Sequence, residues 1–312
     1  MAIQISVVIP THNPDKIRLE RTLKALKQQN LPLDFWELVV VDNATPDTTY
    51  LSSFDISWHP NARVVYEGQL GLTRARVAGI ESTDGDYIAF VDDDNLLAPN
   101  YLTEAIKIYQ NASHLGSIGG KSIPEYEKPP AIWFDNVNLG MGCRNFGEQA
   151  QTYFPAGGKL EYPKCSPIGA GMVLRRSAIL NYVSRVKSNA DAVLDRTGKD
   201  LTSGGDCDIN LTLLSEGWGL GYFPQLKLTH LIPASRLTRS YLARLNKAVM
   251  RSWVQVLDLH SIRPWPAIPR WSVSLRKAKA FFFSKSWKGD AEYIRWQGLC
   301  GLLEGQCQLK QK

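Results

Sequence analysis

Residues 87–99 read YIAFVDDDNLLAP, an apolar run that stops in three consecutive aspartates. Tyr87 to Val91 has the look of a buried strand, and Asp92, Asp93 and Asp94 then follow with no cation among them. Adjacent carboxylates repel, so all three must be solvated or neutralised where the strand ends. Two readings fit this stretch by itself. Asp and Asn are ordinary turn residues, and a cluster of hard oxygen ligands also suits a divalent cation.

The flanking sequence sets the fold. ISVVIP (5–10), WELVVVDN (36–43), ARVVYE (62–67) and DYIAFV (86–91) are short β-branched runs. Between them lie helical patterns: 14–29, with Leu19, Leu23 and Leu26 on one face, a stretch near 72–82, and another from Pro99 to about Asn111. Continuous apolar strands alternating with helices predict an α/β architecture, a mostly parallel sheet covered on both faces. Ligands in such sheets sit at the carboxyl ends of the strands. The polar residues there, Thr11-His12-Asn13, Asp42-Asn43, Glu67 and Asp92 to Asn95, therefore read as one ligand floor.

Residues 121–167 lose periodicity in favour of Pro, Gly and aromatics, too long a stretch for an idle loop and expected to face substrate. Regular structure resumes with GAGMVLRRSAILNYV, a helix over 206–217 that stops at Gly217, and a strand GLGYFPQLKLTHLI. Beyond Arg239 the chain reads as helical, basic and rich in tryptophan.

Bulk properties narrow the function. The 312 residues suffice for one large domain or for one domain plus an appendage, and a net charge of +6 favours anionic ligands without demanding nucleic acid. Five cysteines, 143, 165, 207, 300 and 307, show neither CxxC spacing nor a Cys/His ligand pattern, and are expected to be reduced thiols of a cytoplasmic protein. Met1 leads straight into a strand, and no apolar run reaches membrane-span length. GQLGLTRARVAG (68–79) sets Arg74 and Arg76 just after glycines that open a helix, an arrangement suited to phosphate. It lacks the order of a dinucleotide fingerprint, and no GxxxxGK[ST] loop occurs.

SVVIPTHN, VVVDNATPDTT, GLTRARVAGIESTDGDYIAFVDDDNLLAPNYL and GGDCDINLTLLSEGW, taken in order over roughly residues 3–240, resemble family 2 nucleotide-sugar glycosyltransferases of the GT-A fold. The resemblance implies a GT-A domain over 1–240, with a nucleotide-binding half (1–120) and an acceptor-facing half (121–240). A helical, basic appendage would follow over 241–312. It implies an inverting, Mn²⁺- or Mg²⁺-dependent transfer from a nucleotide-diphosphate sugar, expected to be a UDP-sugar. The acceptor would be a saccharide or a lipid-linked group, as in bacterial polysaccharide or glycolipid assembly.

Residue by residue, Pro10, Thr11 and Asn13 match the opening signature, Asp42 the nucleotide-binding aspartate, and Arg76, with Arg74 beside it, the basic stretch. Asp92, Asp93 and Asp94 match the D-x-D motif, with Asp94 the main metal ligand, Asp92 facing ribose or metal, and His230 completing the site. The general base comes from the family's E-D-x-D pattern. Here that stretch is Gly205-Asp206-Cys207-Asp208, so the glutamate is missing; Asp206 is the expected base, with Asp208 its rival. Arg236 and Arg239 are candidates for the diphosphate, Gly169 to Gly171 for close substrate approach, and Trp133 and Phe134 for stacking on an acceptor sugar. The missing glutamate keeps a degenerate, non-catalytic nucleotide-sugar-binding protein as an alternative. A nucleotidyltransferase is the other, although PTHNPDK is unlike its glycine-rich basic loop. The segment 270–289 interleaves Lys and Arg with Phe and Trp, compatible with peripheral contact to the inner membrane face.

Overall fold

A computed structural model describes residues 2–47, 54–137, 139–155, 157, 160–188, 195 and 201–310. The strands are β1 (Ile5–Thr11), β2 (Trp36–Asn43), β3 (Ala62–Glu67), β4 (Tyr87–Phe90), β5 (Asn95–Leu97), β6 (Leu115–Tyr126), β7 (Gln151–Tyr153), β8 (Val173–Arg175) and β9 (Gly219–Ile232). The helices are α1 (Lys16–Lys27), α2 (Leu72–Glu81), α3 (Tyr101–Asn111), α4 (Arg176–Lys187), α5 (Gly205–Ser215), α6 (Arg239–Leu259), α7 (Val273–Phe283) and α8 (Asp290–Gln306).

The nine strands form one sheet in the order β3-β2-β1-β4-β8-β6-β9-β5, with β7 paired to β9. Pairing is parallel from β3 through β2 and β1 to β4. Beyond β4 it turns antiparallel, at β4–β8, β6–β8, β5–β9 and β7–β9. The expected α/β sheet flanked by helices is present, and its parallel part coincides with the β-branched runs of the first half.

Those runs are continuous rather than alternating because both faces of the sheet are covered. On one face Ile5, Val7, Ile9, Leu38 and Val40 pack against Leu19, Leu23 and Leu26 of α1 and against α3. On the other, Val8, Val39, Val41 and Phe90 meet α2, α4 and α5 through residues such as Ile80, Ile179 and Leu213. Odd and even strand positions thus serve two cores, as the two-residue period of a strand dictates. Helix α1 is fixed at its start by Asp15, whose carboxylate accepts from the Arg18 N–H at 3.0 Å, and carries Lys24 and Lys27 in its last turn.

Two compact units are distinguishable. The first comprises residues 1–125, 142–192 and 206–231; the second comprises 126–141, 193–205 and 232–312. The second has its own core, in which Val137 joins Leu242, Ala243, Ala291 and Ile294. Among the described residues no helix is long and apolar enough to cross a membrane, and none of the five cysteines forms a disulfide.

Candidate active site

Strand register gathers the first group of candidate residues. Thr11 and Asp42 are direct partners at the ends of β1 and β2, and Val8 pairs with Phe90 of β4. Three residues further along each chain, the Thr11 hydroxyl donates to Asp93 Oδ2 at 2.7 Å. Asp42 is buried; its Oδ1 accepts from the Thr45 N–H at 3.2 Å, while Oδ2 has no hydrogen-bond partner. A buried carboxylate oxygen left open at a strand end is costly unless a ligand donor fills it.

Pro10 lies buried in β1, and the chain then reverses through Asn13 at φ 49°. The Asn13 N–H donates to Thr45 Oγ1 at 3.1 Å, and its side-chain amide contacts His12 Nε2 at 3.0 Å. His12 Nδ1 faces the Asn43 carbonyl at 2.7 Å, which makes Nδ1 the protonated nitrogen and Nε2 the acceptor. Asn43 in turn holds the chain entering α2, accepting from the Gly71 N–H at 2.7 Å and donating to the carbonyl of Gln69 at 2.8 Å.

The aspartate triplet is both a turn and a cluster. The Asn95 N–H donates to the Asp92 carbonyl at 3.0 Å, closing a tight turn over Asp93 and Asp94. The three carboxylates diverge to three partners: Asp92 to Arg76 at 3.5 Å, Asp93 to Thr11, and Asp94 to His230 Nε2 at 3.4 Å. Their mutual repulsion is relieved by this divergence. His230 arrives by register, since β5 and β9 pair Asn95 with His230, and the Leu231 N–H donates to the Asp94 carbonyl at 2.8 Å.

Arg76 is 4% exposed, with its guanidinium 5.0 Å above the Phe90 ring. Arg74, two residues earlier on α2, is half-buried. Gly169 explains the room Arg76 occupies, because a Cβ there would come within 2.6 Å of an Arg76 terminal nitrogen. The Gly169 N–H donates to Asp206 Oδ2 at 3.0 Å. A connected path Asp92–Arg76–Gly169–Asp206 therefore joins the end of β4 to the start of α5. Close by, Gly171 adopts φ 71°, and a side chain there would collide with Leu228 and the Tyr101 hydroxyl.

The two acids of α5 differ in kind. Asp208 is fully buried and bound to Arg185 at 2.7 Å. Asp206 is half-buried and held by N–H groups, those of Gly169 and Cys207. Arg185 is a partner that the sequence did not announce. Another is Cys143, whose Sγ lies 3.6 Å from His230 Nδ1. Burial by itself would lower the His230 pKa, but the contacts with Asp94 and Cys143 outweigh it and raise the imidazole to about 10. Neither partner had a signal in the sequence, as both are long-range contacts.

Among the described residues no group of three or more His, Cys, Asp or Glu is arranged to hold a metal by itself. A Mg²⁺-type ion does not require one, since it keeps waters and takes one or two carboxylates together with substrate phosphates. Asp94, with Asn95 Oδ1 buried and without a hydrogen-bond partner next to it, fits such a partial donor set, and His230 Nε2 joins it only on giving up its proton. Other expectations find different surroundings. Arg239 pairs with Asp290 at 3.3 Å and covers the Tyr293 ring at 4.2 Å, so it is a packing cation of the second unit. Trp133 and Phe134 are partly buried against that unit's core.

Residues 6–183 match the model of the glycosyl transferase family 2, more than half of the chain. This chain belongs to glycosyl transferase family 2. The match takes in Asp42, Arg76 and the aspartate triplet but ends before Asp206, Asp208 and His230. Among curated proteins, the validoxylamine A glucosyltransferase of Streptomyces hygroscopicus subsp. limoneus is 31% identical over 38% of this chain and 25% of its own length. The glucosyl-dolichyl phosphate glucuronosyltransferase of Haloferax volcanii is 24% identical over 48% of this chain and 49% of its own. The chain thus spans a half or less of these relatives. In structure, S. aureus TarS 1–349 in complex with UDP-GlcNAc superposes with a TM-score of 0.53 at 14% identity, covering 97% of this chain and 90% of that one. That likeness bears on the fold.

Proposed function

We propose that this protein is an inverting glycosyltransferase that moves a sugar from a nucleotide-diphosphate donor, a UDP-sugar, to a hydroxyl of a saccharide or lipid-linked acceptor. The observation that carries the reading is the path Asp92–Arg76–Gly169–Asp206. It links a strand-end cluster suited to a phosphorylated donor with one half-exposed carboxylate suited to proton abstraction. The UDP-GlcNAc complex of TarS supports a UDP-sugar, and the dolichyl phosphate named for the Haloferax relative supports a lipid-linked acceptor.

In this reading the open Oδ2 of Asp42 accepts an N–H or O–H of the nucleoside, next to Pro10, Thr11 and Asn13. Arg76, with Arg74 near it, supplies positive charge toward the diphosphate and holds Asp92 in place. Asp94 and His230 are the residues that would hold Mn²⁺ or Mg²⁺, with Asp92 beside them. When bound, such an ion supplies a Lewis acid for the charge that develops on the leaving diphosphate. Asp206 takes the proton of the acceptor hydroxyl as its oxygen bonds to the anomeric carbon and the bond from that carbon to the diphosphate oxygen breaks. The Gly169 and Cys207 N–H groups fix the Asp206 carboxylate, and the charge of Arg144 also acts on it.

Calorimetric titration of the purified chain with a panel of nucleotide sugars, with and without Mn²⁺, tests the reading. Metal-dependent binding of one donor is expected, weakened at least tenfold in Asp94→Ala. No binding to any donor, or an Asp94→Ala variant identical to the native chain, would sink it. Donor binding without any transfer or hydrolysis would favour the non-catalytic alternative.

A further inference from the structure

The second unit presents a surface that the transfer reaction does not explain. Helix α7 and its flanks, residues 270–289, contain six Lys or Arg and no Asp or Glu. Phe281 is the inward anchor of this segment, its ring 5.0 Å from that of Trp296 on α8, and the Trp296 indole N–H donates to the Lys277 carbonyl at 3.0 Å. The opposite side is apolar and uncovered: Trp271 is 81% exposed, Leu275 70%, Phe282 65%, Phe283 78% and Trp287 57%. Leu275 and Phe282, seven residues apart, share one face of α7, and Trp271 lies in the turn just before it. Large apolar side chains grouped in this way on a surface mark an interaction site.

The charges around that face identify what it meets. Arg270, Arg276, Lys279, Lys285 and Lys288 are all exposed. The nearby acids are already neutralised within the unit: Asp290 by Arg239, Glu292 by Arg295, and Glu304 by Lys247 and Lys277. Uncompensated positive charge therefore surrounds an aromatic surface. At 11 residues α7 is too short to span a bilayer, and Trp and Phe on a basic helix suit the boundary between headgroups and acyl chains.

We infer that α7 and its flanks form a peripheral docking surface for an anionic lipid bilayer, with Trp271, Leu275, Phe282, Phe283 and Trp287 entering the interface and the surrounding cations on the headgroups. The inference stands independently of the sugar-transfer reading.

Flotation of the full-length chain with vesicles tests it, using phosphatidylcholine alone and an equal mixture with phosphatidylglycerol. The protein is expected to float with the anionic vesicles, to stay behind with the neutral ones, and to be released as salt rises to about 1 M. Each cation removed costs about fivefold in partitioning, so Lys279→Gln, Lys285→Gln and Lys288→Gln together cost about a hundredfold. Leu275→Ser with Phe283→Ser should also abolish flotation while leaving the melting temperature unchanged, since both side chains are largely in solvent. Absence of flotation with both vesicles, or equal flotation with both, would overturn the inference. So would a concentration-dependent dimer, without vesicle binding, that the Leu275→Ser, Phe283→Ser variant dissolves; the surface would then be an interface between copies of this chain.

Discussion

Strand β2 carries a buried acid near each end, and the two are finished differently. Glu37, 2% exposed, accepts from the Ser6 hydroxyl at 2.7 Å, from the Asp84 N–H at 2.6 Å and from Arg63 at 2.7 Å. Asp42, 1% exposed and five residues later, has one oxygen on the Thr45 N–H and the other on nothing. On α5 the two acids differ in burial and in the charge of their partners: Asp208 is fully buried with Arg185 on Oδ1, while Asp206 is half-buried on N–H groups. A closed acid ties the fold together. An acid with an open oxygen at the carboxyl end of a parallel strand has room for a ligand donor, which is the role proposed above for Asp42.

The sharpest way to break this contrast is on α5. Asp206→Asn is expected to lower sugar transfer by about 100- to 10,000-fold, the usual worth of a general base, with donor affinity intact. Asp208→Asn should instead unfold the protein a few degrees earlier by removing the charge that faces Arg185, which keeps its Thr212 contact and is partly exposed, so the loss stays below the cost of breaking a fully buried pair. Steady-state rates and thermal melts on the two variants decide the matter. Transfer retained in Asp206→Asn would remove it from the base role.

On β2, Glu37→Gln should cost about 2–4 kcal/mol, since a neutral amide cannot accept from all three donors. Native Glu37 also predicts a pH dependence. Burial opposes its ionisation, but the hydrogen bonds from Ser6, Asp84 and Arg63 outweigh that and hold its pKa below the usual carboxylate range. With the folded pKa below the unfolded one, this stability is complete above the unfolded value of about 4.3 and lost as pH falls through the folded one. Urea melts of native and Glu37→Gln protein should therefore converge on acidification below that value. Parallel curves over the whole range would contradict the assignment.

How far this was legible in the sequence depends on the range of the contact. The parallel half of the sheet was legible because burial on both faces leaves continuous Val and Ile runs, as in WELVVVDN. The clustering of polar residues at the strand ends followed, since Thr11, Asp42 and Asp92 stand at the ends of such runs. Legibility failed where a partner comes from a distant segment without periodicity of its own. Cys143 reaches His230 from the Pro- and Gly-rich stretch, and Arg185 reaches Asp208 from α4, each set by packing that a linear pattern does not encode. Trp133 and Phe134 illustrate the same limit: as aromatics in an irregular stretch they suited a sugar platform, yet they pack on the core of the second unit. The antiparallel turn of the sheet beyond β4 was also invisible, because β8 is three residues long and its partners lie far along the chain.

A milder test returns to the open end of β2. Asp42→Asn keeps the shape and the Thr45 contact but makes the open oxygen a weaker acceptor. If that oxygen meets a donor on the nucleoside, affinity should fall by about ten- to a hundredfold, the worth of one hydrogen bond to a charged group. Stability should change little or rise, because a buried charge has been removed. A drop in melting temperature with unchanged donor affinity would move Asp42 into the company of Glu37.

The smallest effect is expected at Thr11. Its hydroxyl donates to Asp93 Oδ2 at 2.7 Å, and Thr11 itself is 4% exposed while Asp93 is half-buried. Thr11→Val keeps the branched shape that β1 needs and removes only the donor. Water can reach Asp93 and replace the lost bond, so stability should fall by no more than about 1 kcal/mol. The consequence for function is geometric: an Asp93 released from Thr11 lets the turn over Asp93 and Asp94 move, and Asp94 with it. Donor affinity should then weaken a few-fold in the presence of Mn²⁺ and stay constant in its absence. Equal weakening under both conditions would mean that Thr11 touches the donor directly, and that the triplet is positioned by its turn, Arg76 and His230 without it.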